Sequence, residues 1–269
     1  MKKKRKKPKP HGDPNRLAQW IIVPDVHASV SGEHDGDSLA TVERFMQSKR
    51  FDGYLNLGDL CDFGIISTHN ANRLREIEGG RIMDEYKIAN DILSRHESIV
   101  RTNNPNAEMV LLEGNHDYRI ERYMDAHPEL SGMLEVEKVL RLRERGIQYV
   151  KSWSEGKIFE LGRCWFSHGL FCNEHHAKKM LQRFNHSIAY GHTHDLQMYS
   201  SHAYRPQDVL IAASLGCLCR IPQRWCRGAP TKWSQAVTEF QFDKVSGQFQ
   251  FNILRLIDHK LIHDGKVYQ

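Results

Sequence analysis

Residues 109–117 read Met109-Val110-Leu111-Leu112-Glu113-Gly114-Asn115-His116-Asp117. An apolar run of four bounded by a turn signal predicts a buried strand. The glycine lets the backbone turn sharply, and an amide, an imidazole and a carboxylate follow in succession. The same arrangement recurs along the chain. Gln19 to Pro24, with Trp20, Ile21, Ile22 and Val23, predicts a first buried strand, and Asp25 and His27 lie just past its end. Gly53 to Leu57 predicts a second strand that delivers Gly58-Asp59, with Asp62 shortly after. Trp165, Phe166 and Ser167 lead into His168-Gly169, and Ile188, Ala189 and Tyr190 lead into Gly191-His192-Thr193-His194.

Helical spacing separates these strands. Leu39, Val42, Phe45 and Met46 share one face of a helix predicted over residues 38–48, and residues 67–99 predict helices interrupted at Gly79-Gly80. Tyr118 to Met124, Leu134 to Arg145 and Ala177 to Phe184 also carry helical spacing. Val209 to Ala213 predicts another apolar strand. At the C-terminus, Phe240 and Phe242 alternate with polar residues, Ser246-Gly247 turns the chain, and Phe249, Phe251 and Ile253 alternate again, which predicts a hairpin. Strands alternating with helices define a layered α/β fold, in which residues at successive strand ends converge on the rim of a sheet.

The chain of 269 residues, about 40% apolar, can bury one full core. Its formal charge of +5 is unevenly placed: Lys2, Lys3, Lys4, Arg5, Lys6, Lys7 and Lys9 supply seven positive charges, so the rest of the chain is near neutral. A like-charged run broken by Pro8 and Pro10 cannot pack a core, so residues 1–16 are expected to form a disordered basic arm, and residues 17–269 one catalytic domain. Such an arm attracts a polyanion, serves as a nuclear address, or merely solubilises. No stretch approaches the ~20 apolar residues of a membrane span, and no apolar signal core follows the charges. The expected location is the cytoplasm, or the nucleus on the strength of the basic run. Six cysteines without a paired C-x-x-C spacing predict reduced thiols rather than a disulfide scaffold or a zinc ribbon.

The five strand-end blocks share one chemistry. Asp25 and His27, two residues apart, can face one ion, and the Asp59 carboxylate can present its oxygens to two. Asn115 offers an amide oxygen, and His168, His192 and His194 offer imidazole nitrogens, with Thr193 turned elsewhere. Nitrogen and oxygen donors without thiolate suit Mn, Fe or Zn in a working site more than a structural zinc site. Two ions ~3.5–4 Å apart can share a hydroxide that attacks phosphorus, so no Ser or Cys nucleophile is needed.

In order and over residues 20 to about 216, these blocks resemble the calcineurin-like metallophosphoesterase superfamily. The resemblance implies a four-layer αββα sandwich of two mixed β-sheets flanked by helices, with the dimetal site at the C-terminal ends of strands. It further implies that Asp25, His27, Asp59 and His194 hold one ion, and that Asp59, Asn115, His168 and His192 hold the other. His116 would act near the leaving group as general acid or charge stabiliser, and Asp62 would orient it. Asp117 is expected to cap the following helix.

Departures from subfamily patterns narrow the expected substrate. Protein Ser/Thr phosphatases carry arginines after the second-block aspartate and before the third-block glycine, where this chain has Phe63 and Glu113. Lipid A pathway members usually carry arginine where this chain has His116. The Gly-Asn-His-Asp form is similar to phosphodiesterase and repair-nuclease branches, and the compact layout is similar to phage-encoded members. The loop from Gly216 to Trp233 mixes Arg220, Arg224, Arg227 and Lys232 with Trp225 and Trp233, a composition suited to tracking a nucleic-acid backbone and stacking bases. Arg220, Arg224, Trp225 and the nearby His69 are therefore candidate substrate contacts. The expectation is an enzyme with two divalent ions, foremost Mn, that hydrolyses phosphodiesters in DNA or RNA. The alternatives are a phosphomonoesterase or small-molecule nucleotide phosphodiesterase, and, in another class, a catalytically silent nucleic-acid-binding or scaffold protein.

Overall fold

The computed structural model describes residues 16–70, 72–205 and 209–269; the expected basic arm lies almost wholly outside the described residues. The chain is mixed α/β with two mixed sheets. The larger sheet has eight strands. Its parallel part comprises β1 (Leu17–Val23), β2 (Gly53–Asn56), β3 (Glu108–Leu112) and β4 (Ile147–Val150), side by side in that order. On the other side of β1 it continues antiparallel through the late strands β10 (Ala236–Asp243), β11 (Phe249–Ile257), β12 (Lys260–His263) and β13 (Lys266–Tyr268). The smaller sheet has five strands, β5 (Phe159–Leu161), β6 (Cys164–Ser167), β7 (Ile188–Tyr190), β8 (Leu196–Ser200) and β9 (Ile211–Leu215), ordered 5-6-7-9-8. Its three central strands are parallel and both edges antiparallel.

The reason β1 is apolar without alternation lies in its two faces. Ile21 and Val23 join a cluster with Leu39, Val42, Phe45 and Met46 of α1 (Gly36–Gln47) and with Tyr86, Ala89, Ile92 and Leu93 of α3 (Ile82–Asn103). Trp20 and Ile22 join a second cluster with Leu55, Leu57, Val110 and Leu112, shared with Phe166, Ala189, Ala213 and Leu215 of the smaller sheet. Side chains two apart on a strand share a face, so a strand buried on both sides must be apolar throughout. A third cluster packs Ala177, Met180 and Leu181 of α6 (His176–Phe184) on Ile188, Tyr190 and Ala212.

Local chemistry sets the boundaries. Asp35 caps α1 by accepting the Ser38 amide at 3.0 Å, satisfying one of the free N–H groups of the first turn. The interruption expected at Gly79-Gly80 separates a single turn, α2 (Leu74–Ile77), from α3. The hairpin at the C-terminus forms in the register its aromatics suggest, Phe240 opposite Phe251 and Phe242 opposite Phe249.

Three expectations need correction. The segment Leu134 to Arg145 is helical only over α5 (Val136–Val139). Leu140 and Leu142 are nonetheless buried, and Arg145 is held by Glu97, Ser94 and Asn90 of α3. Tertiary contacts therefore satisfy the apolar spacing without a continuing helix. The strand expected from Val209 starts later, at Ile211. Asp117 does not cap α4 (Arg119–Ala126); buried, it accepts the amides of Cys61 at 2.9 Å and Gly114 at 3.0 Å and so ties the loops after β2 and β3 together.

Glu85, on the inner face of α3, is buried in the first cluster, and burial followed by the charge of Asp62 raises its carboxyl to about 8 from an ordinary 4.5. Between those values the unfolded chain releases this proton and the folded chain keeps it. The stability associated with Glu85 is thus intact below pH 4.5 and declines as pH rises toward 8. Glu85→Gln is expected to raise the melting temperature at about pH 8 and to change it least at about pH 5. Melting curves of the two proteins that run parallel across this range would contradict the assignment.

Candidate metal centre

All five blocks leave parallel strands at their C-terminal ends and meet where the two sheets face each other. Asp25 and His27 follow β1, Asp59 follows β2, Asn115 and His116 follow β3, His168 follows β6, and His192 and His194 follow β7. The backbone turns abruptly to bring them inward. Asp25, His27, Asp59, His192 and His194 all have φ between 32° and 69°, a left-handed conformation that Asp and His tolerate better than most residues. Glycines make the close approach possible: a side chain at Gly114 would collide with Asp59, and one at Gly191 with Asp25.

Asp25, His27, Asp59 and His194 bring one donor atom each within 4.8 Å of one another, and Asp59, His168 and His192 do the same. His27 Nε2 lies 3.0 Å from His194 Nε2, and His194 Nε2 lies 3.5 Å from Asp25 Oδ1. Asn115 Oδ1 completes the second group, 2.9 Å from His168 Nε2 and 2.7 Å from His192 Nδ1. Asp59 belongs to both groups.

The outer contacts decide which ring nitrogens face inward. His168 Nδ1 donates to Leu57 O at 2.9 Å, which leaves a lone pair on Nε2 in the neutral ring. That lone pair faces Asn115 Oδ1 and, at 3.3 Å, Asp59 Oδ2. His27 Nδ1 contacts Asp62 Oδ1 at 3.0 Å, His194 Nδ1 contacts Cys219 Sγ at 3.7 Å, and His192 Nε2 contacts Cys172 Sγ at 2.8 Å. Asp25 Oδ2 is buried with no hydrogen-bond partner at all. Acceptors that converge in a buried space without hydrogens between them require a cation or an added proton. These side chains could hold metal ions, and the orphaned Asp25 oxygen fits that use.

The electrostatics agree. Burial opposes charge on His168, yet Asp59 outweighs it and, aided by Asp25, raises the imidazole to about 9. Burial also opposes charge on Asp59, but the histidines around it, His168 foremost, keep its carboxyl well below the usual range. His192 is instead lowered to about 4 by burial and by the charge of His168.

Asp62 and His116 sit beside this cluster. The His116 amide donates to Asp59 Oδ1 at 2.7 Å, and its ring Nδ1 lies 2.9 Å from Asp62 Oδ1. One Asp62 oxygen therefore orients two rings, those of His116 and His27. Although burial opposes its charge, these two contacts hold the Asp62 carboxyl far below the usual range. Thr193 points away as expected, to Asp195 and Ser214.

His27, Asp59, Asn115, His192 and His194 line a cavity of about 1140 Å³, with Asp25 and His168 buried behind them. His69, Arg224 and Trp225 line it, and Trp225 is 48% exposed. Trp233 also lines it and packs against the His194 ring, with ring centroids 4.5 Å apart. Arg220 lines neither this cavity nor its neighbour; it is exposed, and its amide donates to Glu33 O.

Several residues near the site carry no signal in the blocks themselves. Arg119 donates to Asp62 O at 2.8 Å and lies 3.0 Å from His116 Nε2; its spacing of three from His116 at a helix start was the available clue. Trp153 sits against His192 and His168, with ring centroids 5.2 Å and 5.8 Å away. Cys172 is supplied by the loop after His168.

No family model matches the chain, and no curated protein does. Among solved structures it is similar to the crystal structure of the Pseudomonas putida nuclease MPE, with 14% identity, 87% of each chain covered and a TM-score of 0.38. Among the described residues no helix is long and apolar enough to cross a membrane.

Proposed function

We propose that the chain is a metal-dependent phosphodiesterase of the calcineurin-like metallophosphoesterase type, acting on nucleic acid. The observation that carries this reading is the convergence of seven nitrogen and oxygen donors from the ends of strands in both sheets, five of them in the wall of one cavity and Asp25 and His168 buried behind them, with His116 beside them. The arrangement of helices outside two facing sheets is consistent with the four-layer sandwich of that superfamily.

Asp25, His27, Asp59 and His194 would hold one divalent ion, and Asp59, Asn115, His168 and His192 the other. Carboxylate, amide and imidazole donors suit Mn best, with Fe or Zn as substitutes. Bound there, two such ions would supply Lewis acidity to the phosphoryl oxygens and activate water at neutral pH. The remaining work falls to side chains. Asp62 fixes the ring planes of His27 and His116 through their Nδ1 atoms, which turns both Nε2 atoms toward the reacting region. His116 Nε2, 3.0 Å from the Arg119 guanidinium, would handle the proton of the departing oxygen. Trp225 offers an exposed aromatic face beside the site, and Arg224 a cation, for a base and its phosphate.

A phosphomonoesterase is a second reading favoured by one contact, since the Arg119 guanidinium near His116 could grip a dianion. The deciding measurement compares bis-p-nitrophenyl phosphate with p-nitrophenyl phosphate, with and without added Mn²⁺. The phosphodiesterase reading expects metal-dependent cleavage of the diester at the higher kcat/KM. Cleavage of the monoester alone would favour the second reading, and no metal-dependent cleavage of either would sink both.

A further inference from the structure

A second cavity, of about 570 Å³, adjoins the first and takes Asn115 of the metal cluster into its wall. The two cavities share Ser67, His69, Asn115 and Arg119 in their walls, so they meet at the cluster. The walls of the larger one mix cations with acidic groups, among them Glu33, Glu76 and Glu174. The smaller one is different. Its walls contain no Asp or Glu among the described residues, and they carry Arg119, Arg122, Tyr118, Tyr123 and Trp153. Arg122 is exposed and the three aromatics are half-buried, so each ring has an accessible part. Trp153 begins at the cluster itself, against His192, and Tyr118, Arg122 and Tyr123 extend the wall along the start of α4.

We propose that this cavity holds the part of a single-stranded nucleic acid that lies on one side of the scissile phosphate, while the larger cavity holds the other side. The protein then cuts inside a strand rather than trimming a terminus. The inference rests on the phosphodiesterase reading and adds the substrate's path to it.

Three physical arguments support it. A wall of cations and rings without carboxylates is complementary to a chain of phosphates and bases. Aromatic faces stack on unpaired bases, whereas a duplex keeps its bases stacked on one another. A cavity of this size encloses a ligand of drug size, or about one or two nucleotides, and two cavities that meet at shared walls have room for chain beyond the scissile phosphate in each. Each cut consumes one water: its oxygen bonds to phosphorus, the ester P–O bond breaks, and a proton passes to the departing sugar oxygen.

The test uses the full chain with Mn²⁺ and three substrates: a circular single-stranded DNA, a 5′-labelled linear oligonucleotide and bis-p-nitrophenyl phosphate. The circle, which has no ends, is expected to be opened, and the oligonucleotide to give internal fragments. Trp153→Ala and Arg122→Ala are each expected to lower the ratio of kcat/KM for the oligonucleotide to that for bis-p-nitrophenyl phosphate by ~10-fold, the scale of one lost stacking contact. Arg122 sits on the exposed face of its helix, so its variant keeps the test valid if Trp153→Ala misfolds. An intact circle alongside bis-p-nitrophenyl phosphate cleavage would overturn the path and leave the phosphodiesterase reading standing. A ratio unchanged in Arg122→Ala would also overturn it. Failure to cleave bis-p-nitrophenyl phosphate would overturn both.

Discussion

Asp59→Asn is expected to abolish metal-dependent phosphodiester cleavage, with kcat/KM falling by ~10³-fold or more. Removing the charge from the carboxylate that belongs to both donor groups costs several kcal/mol of the charge stabilisation a metal pair supplies, at ~1.4 kcal/mol per tenfold in rate. The fold should survive, because an amide still accepts the His116 amide proton at Oδ1. His116→Asn provides the contrast: it should lose ~10²- to 10⁴-fold in kcat through lost proton handling while keeping its metal. Elemental analysis of the two purified variants separates them. Equal metal content and equal loss in both would refute the division between ligand and proton-handling residue.

Gly114→Ala should be nearly as damaging although it removes no functional group. A β-carbon at this position meets the backbone nitrogen and carboxylate of Asp59, neither of which is the far end of a flexible chain. Either the loop after β3 or the loop after β2 must move, and both are tied by Asp117. The expected result is a loss of at least ~10² in kcat/KM, since displacements of about 1 Å cost that much at positioned groups, with a lower melting temperature. Gly156→Ala, where nothing lies within 4 Å of an added β-carbon, offers a control for glycine removal, although its φ of 64° carries a backbone cost of its own. Wild-type activity in Gly114→Ala would show that the two loops are looser than the packing indicates.

The residues that could hold metal are legible in the sequence because each block is local: an apolar run, then a turn, then a polar residue. Trp20 to Val23 and Met109 to Leu112 announce their strands without help from the rest of the chain. What was hidden depends on partners remote in sequence. The edge strands β8 and β13, and β12 next to the edge, are short and partly polar, so their composition carries little signal. The stretch from Leu134 to Arg145 has helical spacing that α3 satisfies from outside the segment. Trp153 and Cys172 reach the site from loops, so no spacing rule marks them, and Arg119 is marked only by its spacing of three from His116. The loop from Gly216 to Trp233 splits in a way composition could not foresee: Arg224, Trp225 and Trp233 line the cavity, Trp233 packing on His194 as well, and Arg220 lies outside it.

The five left-handed residues at the strand ends have a meaning for the history of the chain. Each costs about 1 kcal/mol or more relative to a relaxed backbone, and glycine or asparagine would reduce that cost at any of them. Folding alone therefore favours their loss. A lineage released from the need for this chemistry would drift at Asp25, His27, Asp59, His192 and His194 first and would gain heat resistance as it did so. Their joint presence is expected only where what these side chains do together offsets that cost.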